Sequence, residues 1–326
     1  MCPIASLVSS CALRSAIRHS PGGLTVFTGL IKTMRPKQWI KNGFVFVPLV
    51  FDVKLFDPFY LGRTIAGFLL LCLTSGTIYT INDLMDAEKD RQHPRKRNRP
   101  IASGQLSRGA AFTASIAIPL AALPLGFLLQ PGFGAVLAGY LALQIIYSLW
   151  LKNVVIIDAL VVAAGFVLRV AAGVYLVDAE RFSPWMYIFT TLLALVMAFG
   201  KRRHELVLLK ENANAHRNSL QEYNLPLLDQ TIGIVTAAAV LTYALYTFSA
   251  PNLPPNHTMM LTIPFVLYGI FRYLYLIHVK GIGGAPEEIA LSDRPIQVTV
   301  LLWGLSVLIV MYAQHLTQRA VPYPLP

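Results

Sequence analysis

Charge is scarce in this chain. Only 13% of its 326 residues are Asp, Glu, Lys or Arg, against about a quarter in an ordinary soluble domain. Acids are scarcer still, with 16 Asp and Glu against 27 Lys and Arg. Three cysteines (Cys2, Cys11 and Cys72) make neither an even disulfide framework nor a metal-binding spacing. Segments of ten residues that alternate apolar and polar are missing, which argues against a membrane β-barrel. These shortages exclude a water-soluble enzyme, a disordered chain and a disulfide-stapled domain. What is abundant is apolar surface: 55% of residues are hydrophobic and the mean hydropathy is +0.57. The net charge of +11 on so apolar a chain suits basic loops at a membrane face and an anionic ligand, with no nucleic acid partner.

A helix needs about 20 apolar residues to cross roughly 30 Å of hydrocarbon. Runs without Asp, Glu, Lys or Arg occupy 64–82, 109–151, 182–200, 230–271 and 295–318. The run 109–151 is long enough for two crossings, with Gln130-Pro131-Gly132 as the turn. The run 230–271 breaks at Pro251, Pro254 and Pro255. A further span, 154–177, is interrupted only by Asp158 and Arg169, and a weaker first crossing runs over 39–56. The expected fold is therefore an all-α integral membrane protein, a bundle of nine transmembrane helices over residues 32–318. Residues 1–31 form an N-terminal tail, expected to be disordered, and 319–326 a C-terminal tail. In the N-terminal stretch the arginines follow the apolar residues, the wrong order for a secretory signal. With nine spans, the N-terminal segment and the loops after even-numbered helices carry 21 of the 27 Lys and Arg, and the opposite side carries four. The positive-inside rule puts the rich side, and the N-terminus, in the cytoplasm of a multi-pass cell-membrane protein.

The densest polar cluster is Asn82-Asp83-Leu84-Met85-Asp86-Ala87-Glu88-Lys89-Asp90. On a continuous helix Asn82, Asp83, Asp86 and Asp90 fall within about 100° of one another. Three stacked carboxylates repel unless a cation joins them. Hard oxygen ligands of this kind suit Mg²⁺ bridged to substrate phosphates. The basic loop His93-Pro94-Arg95-Lys96-Arg97-Asn98-Arg99 follows directly. Beside a metal cluster it reads as a phosphate clamp, because guanidinium forks match phosphate oxygens. Lys201, Arg202 and Glu205 share a helix face by their i+3 and i+4 spacing. Arg169 near the middle of a span should face the bundle interior, and Asp158 lies on its face about 16 Å away, too far to pair directly. Trp39-Ile40-Lys41-Asn42 and Trp150-Leu151-Lys152-Asn153 nearly repeat. They read as interfacial anchors that also offer Lys41 and Lys152 to phosphates. Arg272, near a span end, either snorkels or binds.

Asn82-Asp83-x-x-Asp86-x-x-x-Asp90 followed by Arg99-Pro100-Ile101 resembles the first signature of the UbiA-type membrane prenyltransferase superfamily. The early Arg35-Pro36-Lys37-Gln38-Trp39 segment and Tyr147-Ser148-x-x-Leu151-Lys152 extend the resemblance. It implies a nine-helix bundle that uses Mg²⁺ and Asp-rich motifs to hold a diphosphate at the cytoplasmic side. Asp83, Asp86 and Asp90 are then the metal-binding and catalytic residues. Substrate would be held by Asn82, Lys37, Lys41, Arg95, Arg97, Arg99, Tyr147, Lys152, Asp158, Arg169, Lys201, Arg202, Glu205 and Arg272. Where aromatic prenyltransferases of the family carry a second Asp-rich motif, this chain reads Lys201-Arg202-Arg203-His204-Glu205-Leu206. That departure is similar to the subgroup that transfers phosphoribosyl groups to decaprenyl phosphate. So are the segments Gly165 to Gly173, Ile263 to Tyr273 and Pro286-Glu287 to Pro295. The resemblance implies 5-phosphoribosyl 1-diphosphate (PRPP) as donor and a polyprenyl phosphate as acceptor. Two alternatives stand beside it: alkylation of an aromatic or other acceptor by an isoprenyl diphosphate, and non-catalytic lipid or anion transport. Further copies of the same chain are an additional expected partner.

Overall fold

The computed structural model describes residues 23–94, 96–179, 183–211, 218–284 and 286–320, and within them every regular element is helical. Helix α1 (Gly23–Thr33) and the short α2 (Val47–Phe51) flank a 3₁₀ helix at Pro36–Phe46. Then follow α3 (Pro58–Met85), α4 (Ala87–Gln92), α5 (Arg108–Leu129), α6 (Pro131–Leu149), α7 (Ile157–Leu176) and α8 (Pro184–Glu211). The chain continues with α9 (Asn218–Gln221), α10 (Leu225–Ser249), α11 (Ile263–His278), α12 (Pro286–Ser292) and α13 (Arg294–Ala320). Residues 23–31, expected in the tail, begin α1, where Val26 and Leu30 pack beside Ile101 and Leu106. Residues 1–22 and Arg95 lie outside the described residues.

Helix boundaries follow local chemistry. Asp57 caps α3, its Oδ1 accepting from the amides of Phe59 and Tyr60, and Pro58 fills the first turn. Ser107 caps α5 and Asn224 caps α10 in the same way. The expected turn at Gln130 is there, with the Gln130 side chain accepting from Phe133 N at 2.6 Å and Pro131 opening α6. The proline cluster after Ser249 ends α10, and a 3₁₀ turn at Thr258–Thr262 leads into α11.

Among the described residues eight helices are long and apolar enough to span a membrane: α3, α5, α6, α7, α8, α10, α13 and α11 together with the 3₁₀ turn that opens it (Thr258–His278). The expected count of nine rests on 39–56, which is not a continuous apolar helix. Instead, eleven 3₁₀ residues run into five α-helical ones. At about 2.0 and 1.5 Å per residue, that rod reaches roughly 30 Å. Its 3₁₀ winding lets a short, polar-bearing segment match the hydrocarbon thickness. It lies inside the bundle against α3, α7 and α12. Asn42 donates to Ser75 Oγ at 3.1 Å, and the Val45 carbonyl meets α7 at Gly173, where any Cβ would lie 2.2 Å from it.

The other helices neighbour their sequence partners, α5 with α6, α6 with α7, α7 with α8, α8 with α10, α11 with α13, while α3 packs on α5. Leu120, Leu128, Leu241, Leu301 and Ile309 are all more than half exposed, the outward apolar belt a lipid-facing bundle needs. The two ends differ. At one, Lys54 donates to Val177 O, Arg63 pairs with Asp178, and the Tyr312 hydroxyl accepts from Leu55 N. At the other lie the chain turns that carry the sequence motifs. Arg169 is buried and fully engaged: Nε donates to Asn42 Oδ1 (2.8 Å), Nη1 to Gly165 O (2.7 Å) and Nη2 to Tyr140 OH (2.7 Å). It joins the 3₁₀ segment, α6 and α7. Replacing Arg169 by Leu leaves Asn42 and Tyr140 without that partner, and unsatisfied buried groups cost about 1–3 kcal/mol each. Thermal unfolding in detergent should therefore fall clearly below that of the parent. An unchanged transition would remove Arg169 from this role.

Candidate active site

The acidic motif does not continue as one helix. Helix α3 stops at Met85, Asp86 occupies the junction, and α4 restarts at Ala87. The expected stack of four side chains over 100° is broken there, and a different arrangement replaces it. Asp83 and Asp90 are both buried and share one guanidinium: Arg99 Nη1 lies 3.1 Å from Asp83 Oδ1 and 2.7 Å from Asp90 Oδ2. Arg35 Nη2 donates to Asp83 Oδ1 at 2.5 Å. Arg35 itself has φ +53°, an uncommon left-handed residue placed just before Pro36, and stacks on Tyr79 at 4.9 Å. Two cations thus offset the carboxylates that would otherwise oppose the α3 dipole. Asn82 and Asp86 are half-buried beside them. Among the described residues no group of three or more His, Cys, Asp or Glu side chains comes together as a metal cage. Nonetheless the Asp83–Asp90 pair fits a cation: a single positive group already bridges both carboxylates.

A second cluster gathers on the other side of Tyr79, which lies within electrostatic reach of Arg35, Arg169, Tyr140 and Glu287. Glu287, on α12, sits 3.0 Å from Lys41 Nζ with its side chain 5% exposed. The charges of Lys201 and Arg169 also act on Lys41. Burial pushes the Glu287 carboxyl up, but Lys41 and hydrogen bonds outweigh it and hold the group below the usual glutamate range. Tyr273 of α11 lies within electrostatic reach of Glu287 and against Gly200, where a Cβ would come 2.6 Å from the Tyr273 hydroxyl.

The third cluster joins the basic segment of α8 to the loops before α7 and α10. Arg202 Nε donates to Asp158 Oδ2 at 2.7 Å and its Nη1 to Glu205 Oε2 at 2.6 Å. Tyr223 OH donates to Asp158 Oδ1 (2.8 Å) while accepting from Ile156 N (2.7 Å). Burial and the Asp158 hydrogen bond push the Tyr223 phenol up, keeping it a donor. Ile156 has φ +66°, ψ −48°, and Ile157 N donates to Val155 O at 2.7 Å. A β-branched residue in this γ-turn is strained, and the Tyr223 contact holds it in place. Ser219 Oγ donates to the Lys152 carbonyl at 3.1 Å.

Of the residues expected at the site, Asp83, Asp90 and Arg99 come together, Lys41 and Lys201 come within electrostatic reach of each other, and Asp158, Arg202 and Glu205 form one network. Tyr147 is half-buried within reach of the Arg202 charge. Arg169 and Asp158, expected on one face and too far apart to pair, each take different neighbours. Lys37 and Arg97 are exposed. Arg272 pairs with Asp293 at 2.8 Å, at the junction of α11 and α13. Sequence reasoning assigned no site role to Arg35, Tyr79, Tyr223, Tyr273 or Glu287. The available signals for Glu287 were its place in the Pro286-Glu287 to Pro295 segment that carries the resemblance and its rarity as one of only 16 acids.

This is a polytopic membrane protein with carboxylates and cations concentrated at one end of a helical bundle, the layout of an enzyme that handles a phosphorylated substrate at a membrane face. The chain belongs to the UbiA prenyltransferase family, whose sequence profile matches residues 52–283. It is 35% identical over 295 residues to the decaprenyl-phosphate phosphoribosyltransferase of Corynebacterium glutamicum, covering 87% of each chain. The protein of the same name from Mycolicibacterium smegmatis is 35% identical over 289 residues, covering 85% of this chain and 90% of that one. Among solved structures, a UbiA homologue from Archaeoglobus fulgidus bound to GPP and Mg²⁺ superposes with a TM-score of 0.68. It is 18% identical and covers 87% of this chain and 99% of that one.

Two stability outcomes follow from this geometry. The Asp158–Arg202 pair is almost fully buried, with side chains 0% and 4% exposed. Asp158→Ala leaves Arg202 with Glu205 alone and should cost about 3 kcal/mol, the lower range for breaking a buried pair. Unfolding in detergent micelles measures it, and a loss within error of zero would contradict the pairing. Glu287 has a depressed folded pKa, so its contribution is present above the unfolded value of about 4.3 and is lost as pH falls through the lower folded value. The gap in melting temperature between parent and Glu287→Gln should therefore be widest near neutral pH and narrow below about pH 4. A gap independent of pH would show that the Lys41 pairing does not act this way.

Proposed function

We propose that the chain transfers a 5-phosphoribosyl group from PRPP to a polyprenyl phosphate at the cytoplasmic face of the cell membrane, with Mg²⁺ on the donor diphosphate. The observation that carries this reading is the Asp83–Arg99–Asp90 bridge, a cation held between two buried carboxylates. The names of the relatives and the cationic α8 segment in place of a second acidic motif support the choice of substrates. Asp83 and Asp90, with Asp86 at the helix junction, would hold the metal. When bound, Mg²⁺ neutralises the departing diphosphate.

The residues of the chain do the rest. Arg99 and Arg35, which here hold Asp83 and Asp90, would offer their guanidinium forks to the diphosphate oxygens. Lys41 and Lys201 face the phosphate groups from the other side. An oxygen of the lipid phosphate forms a new bond to ribose C1 as the C1–O bond to diphosphate breaks, and positive charge develops on the ring as in other glycosyl transfers. The attacking phosphate is already an anion, so no general base is required. Contacts that tighten as charge moves onto diphosphate raise turnover; uniform phosphate binding does not. A prenyltransferase using an isoprenyl diphosphate is the second reading, favoured by the shared fold of the Archaeoglobus homologue. Transport is disfavoured, because the charged clusters collect at one end and not around broken helices at midplane.

The test is transfer of labelled phosphoribose from PRPP to polyprenyl phosphate in detergent with Mg²⁺, scored in the lipid extract. Asp83→Asn and Asp90→Asn should each lower the rate about 100-fold or more. Chelation should abolish it and added Mg²⁺ restore it. Turnover of a prenyl diphosphate with an aromatic acceptor, and none of PRPP, would overturn the assignment.

A further inference from the structure

Among the described residues a handful of buried side-chain polar atoms have no hydrogen-bond partner. Tyr246, Asn252, Ser183 and Arg63 lie at the end of the bundle away from the motifs, and Thr236 lies within α10. Two are at the motif-bearing end: the Tyr273 hydroxyl and Glu287 Oε2. Their residues are 9% and 7% exposed. Lys41 Nζ is 3.0 Å from Oε2 as an ion pair, a charge contact that leaves this oxygen with accepting capacity to spare. Gly200 is bare, which lets the Tyr273 hydroxyl lie against α8 just before Lys201; a Cβ there would come 2.6 Å from it. Buried polar groups are ordinarily satisfied, and each exception calls for an explanation.

The chemistry of the pair is specific. An ionised carboxylate only accepts; a phenol donates and accepts. The neighbouring cations Lys41 and Lys201 suit phosphate oxygens. Glu287 does not: it repels them, and it calls for an O–H donor from the ligand. An isoprenoid chain has none to give. A ribose has two neighbouring hydroxyls, one to donate to the carboxylate and one to exchange a hydrogen bond with the phenol.

We infer that Glu287 and Tyr273 form a diol-binding subsite for the furanose ring of the donor, and so determine specificity for a sugar diphosphate over a prenyl diphosphate. This rests on the phosphoribosyl-transfer reading above. Glu287 Oε2 accepts from one ring hydroxyl, and the Tyr273 hydroxyl completes the other. The ion pair with Lys41 keeps the carboxylate charged, and the bare backbone at Gly200 keeps the phenol in place.

The experiment compares PRPP with its 2-deoxy and 3-deoxy analogues as donors, in the parent protein, Glu287→Gln and Tyr273→Phe, with polyprenyl phosphate and Mg²⁺ present. The parent should prefer PRPP over at least one analogue by about tenfold or more in kcat/KM, the usual loss when a charged hydrogen-bond partner is left unpaired. In both variants that preference should fall towards one. Tyr273→Phe removes a hydroxyl that has no protein partner, so without donor it should unfold no earlier than the parent. Variants that lose activity equally on all donors and keep the parent's preference would overturn the subsite and leave Glu287 as a support for Lys41. Early unfolding of donor-free Tyr273→Phe would also count against it. A parent that turns over only prenyl diphosphates would instead sink the transfer reading, and the subsite with it.

Discussion

A carboxylate buried in an apolar bundle has to meet a cation, and this requirement organises the motif-bearing end of the molecule. Removing a charge from water costs several kcal/mol even after relaxation. Every buried acid described at that end accordingly has a partner from another part of the chain. Asp83 and Asp90 take Arg99 and Arg35, Asp158 takes Arg202, and Glu287 takes Lys41. The partners come from the start of the 3₁₀ rod (Arg35, Lys41), the turn after α4 (Arg99) and the body of α8 (Arg202), and the acids from α3, α4, α7 and α12. Ion pairing therefore draws those segments together, and the apolar packing of the spans does not have to specify their arrangement.

The same pairs carry the chemistry. In the proposed reaction the guanidinium that bridges two carboxylates stands where a metal would be held, and Arg99 and Arg35 would then be free to meet phosphate oxygens. Arg169 belongs to a different kind of structure. It has no acid, its nitrogens are all engaged by neutral groups, and it anchors the 3₁₀ segment on which Lys41 stands. The network around Asp158 is intermediate: it fastens the strained turn at Ile156 through Tyr223 and holds Arg202 beside Glu205, next to the more exposed Lys201.

The 3₁₀ rod shows how packing and site geometry meet. Its winding lets sixteen residues run the depth of the bundle while turning Asn42 to α3 and α7 and Lys41 to α12. Gly173 and Gly200 serve this closeness, the first by admitting the Val45 carbonyl and the second by admitting the Tyr273 hydroxyl. A side chain at either position would separate elements that the site needs together.

The sequence by itself determined the membrane class, the places of the eight long spans, the turn at Gln130, the proline break after α10 and the end of the bundle where polar chemistry gathers. These depend on runs of apolar residues, caps and loop charge, which are local or additive along the chain. The Asp-rich motif and the Lys201–Glu205 segment were legible for the same reason. The tertiary structure alone decided which cation meets which acid. Arg35 reaches Asp83 across 48 residues and Arg202 reaches Asp158 across 44, and no periodicity relates them. It also decided that α3 ends before Asp86, so Asp83 and Asp90 meet through Arg99 and not on one helical face, and that Tyr79, Tyr273 and Glu287 belong to the polar end. Pairing in a low-dielectric interior depends on position in space, and position there is set by packing between helices distant in sequence.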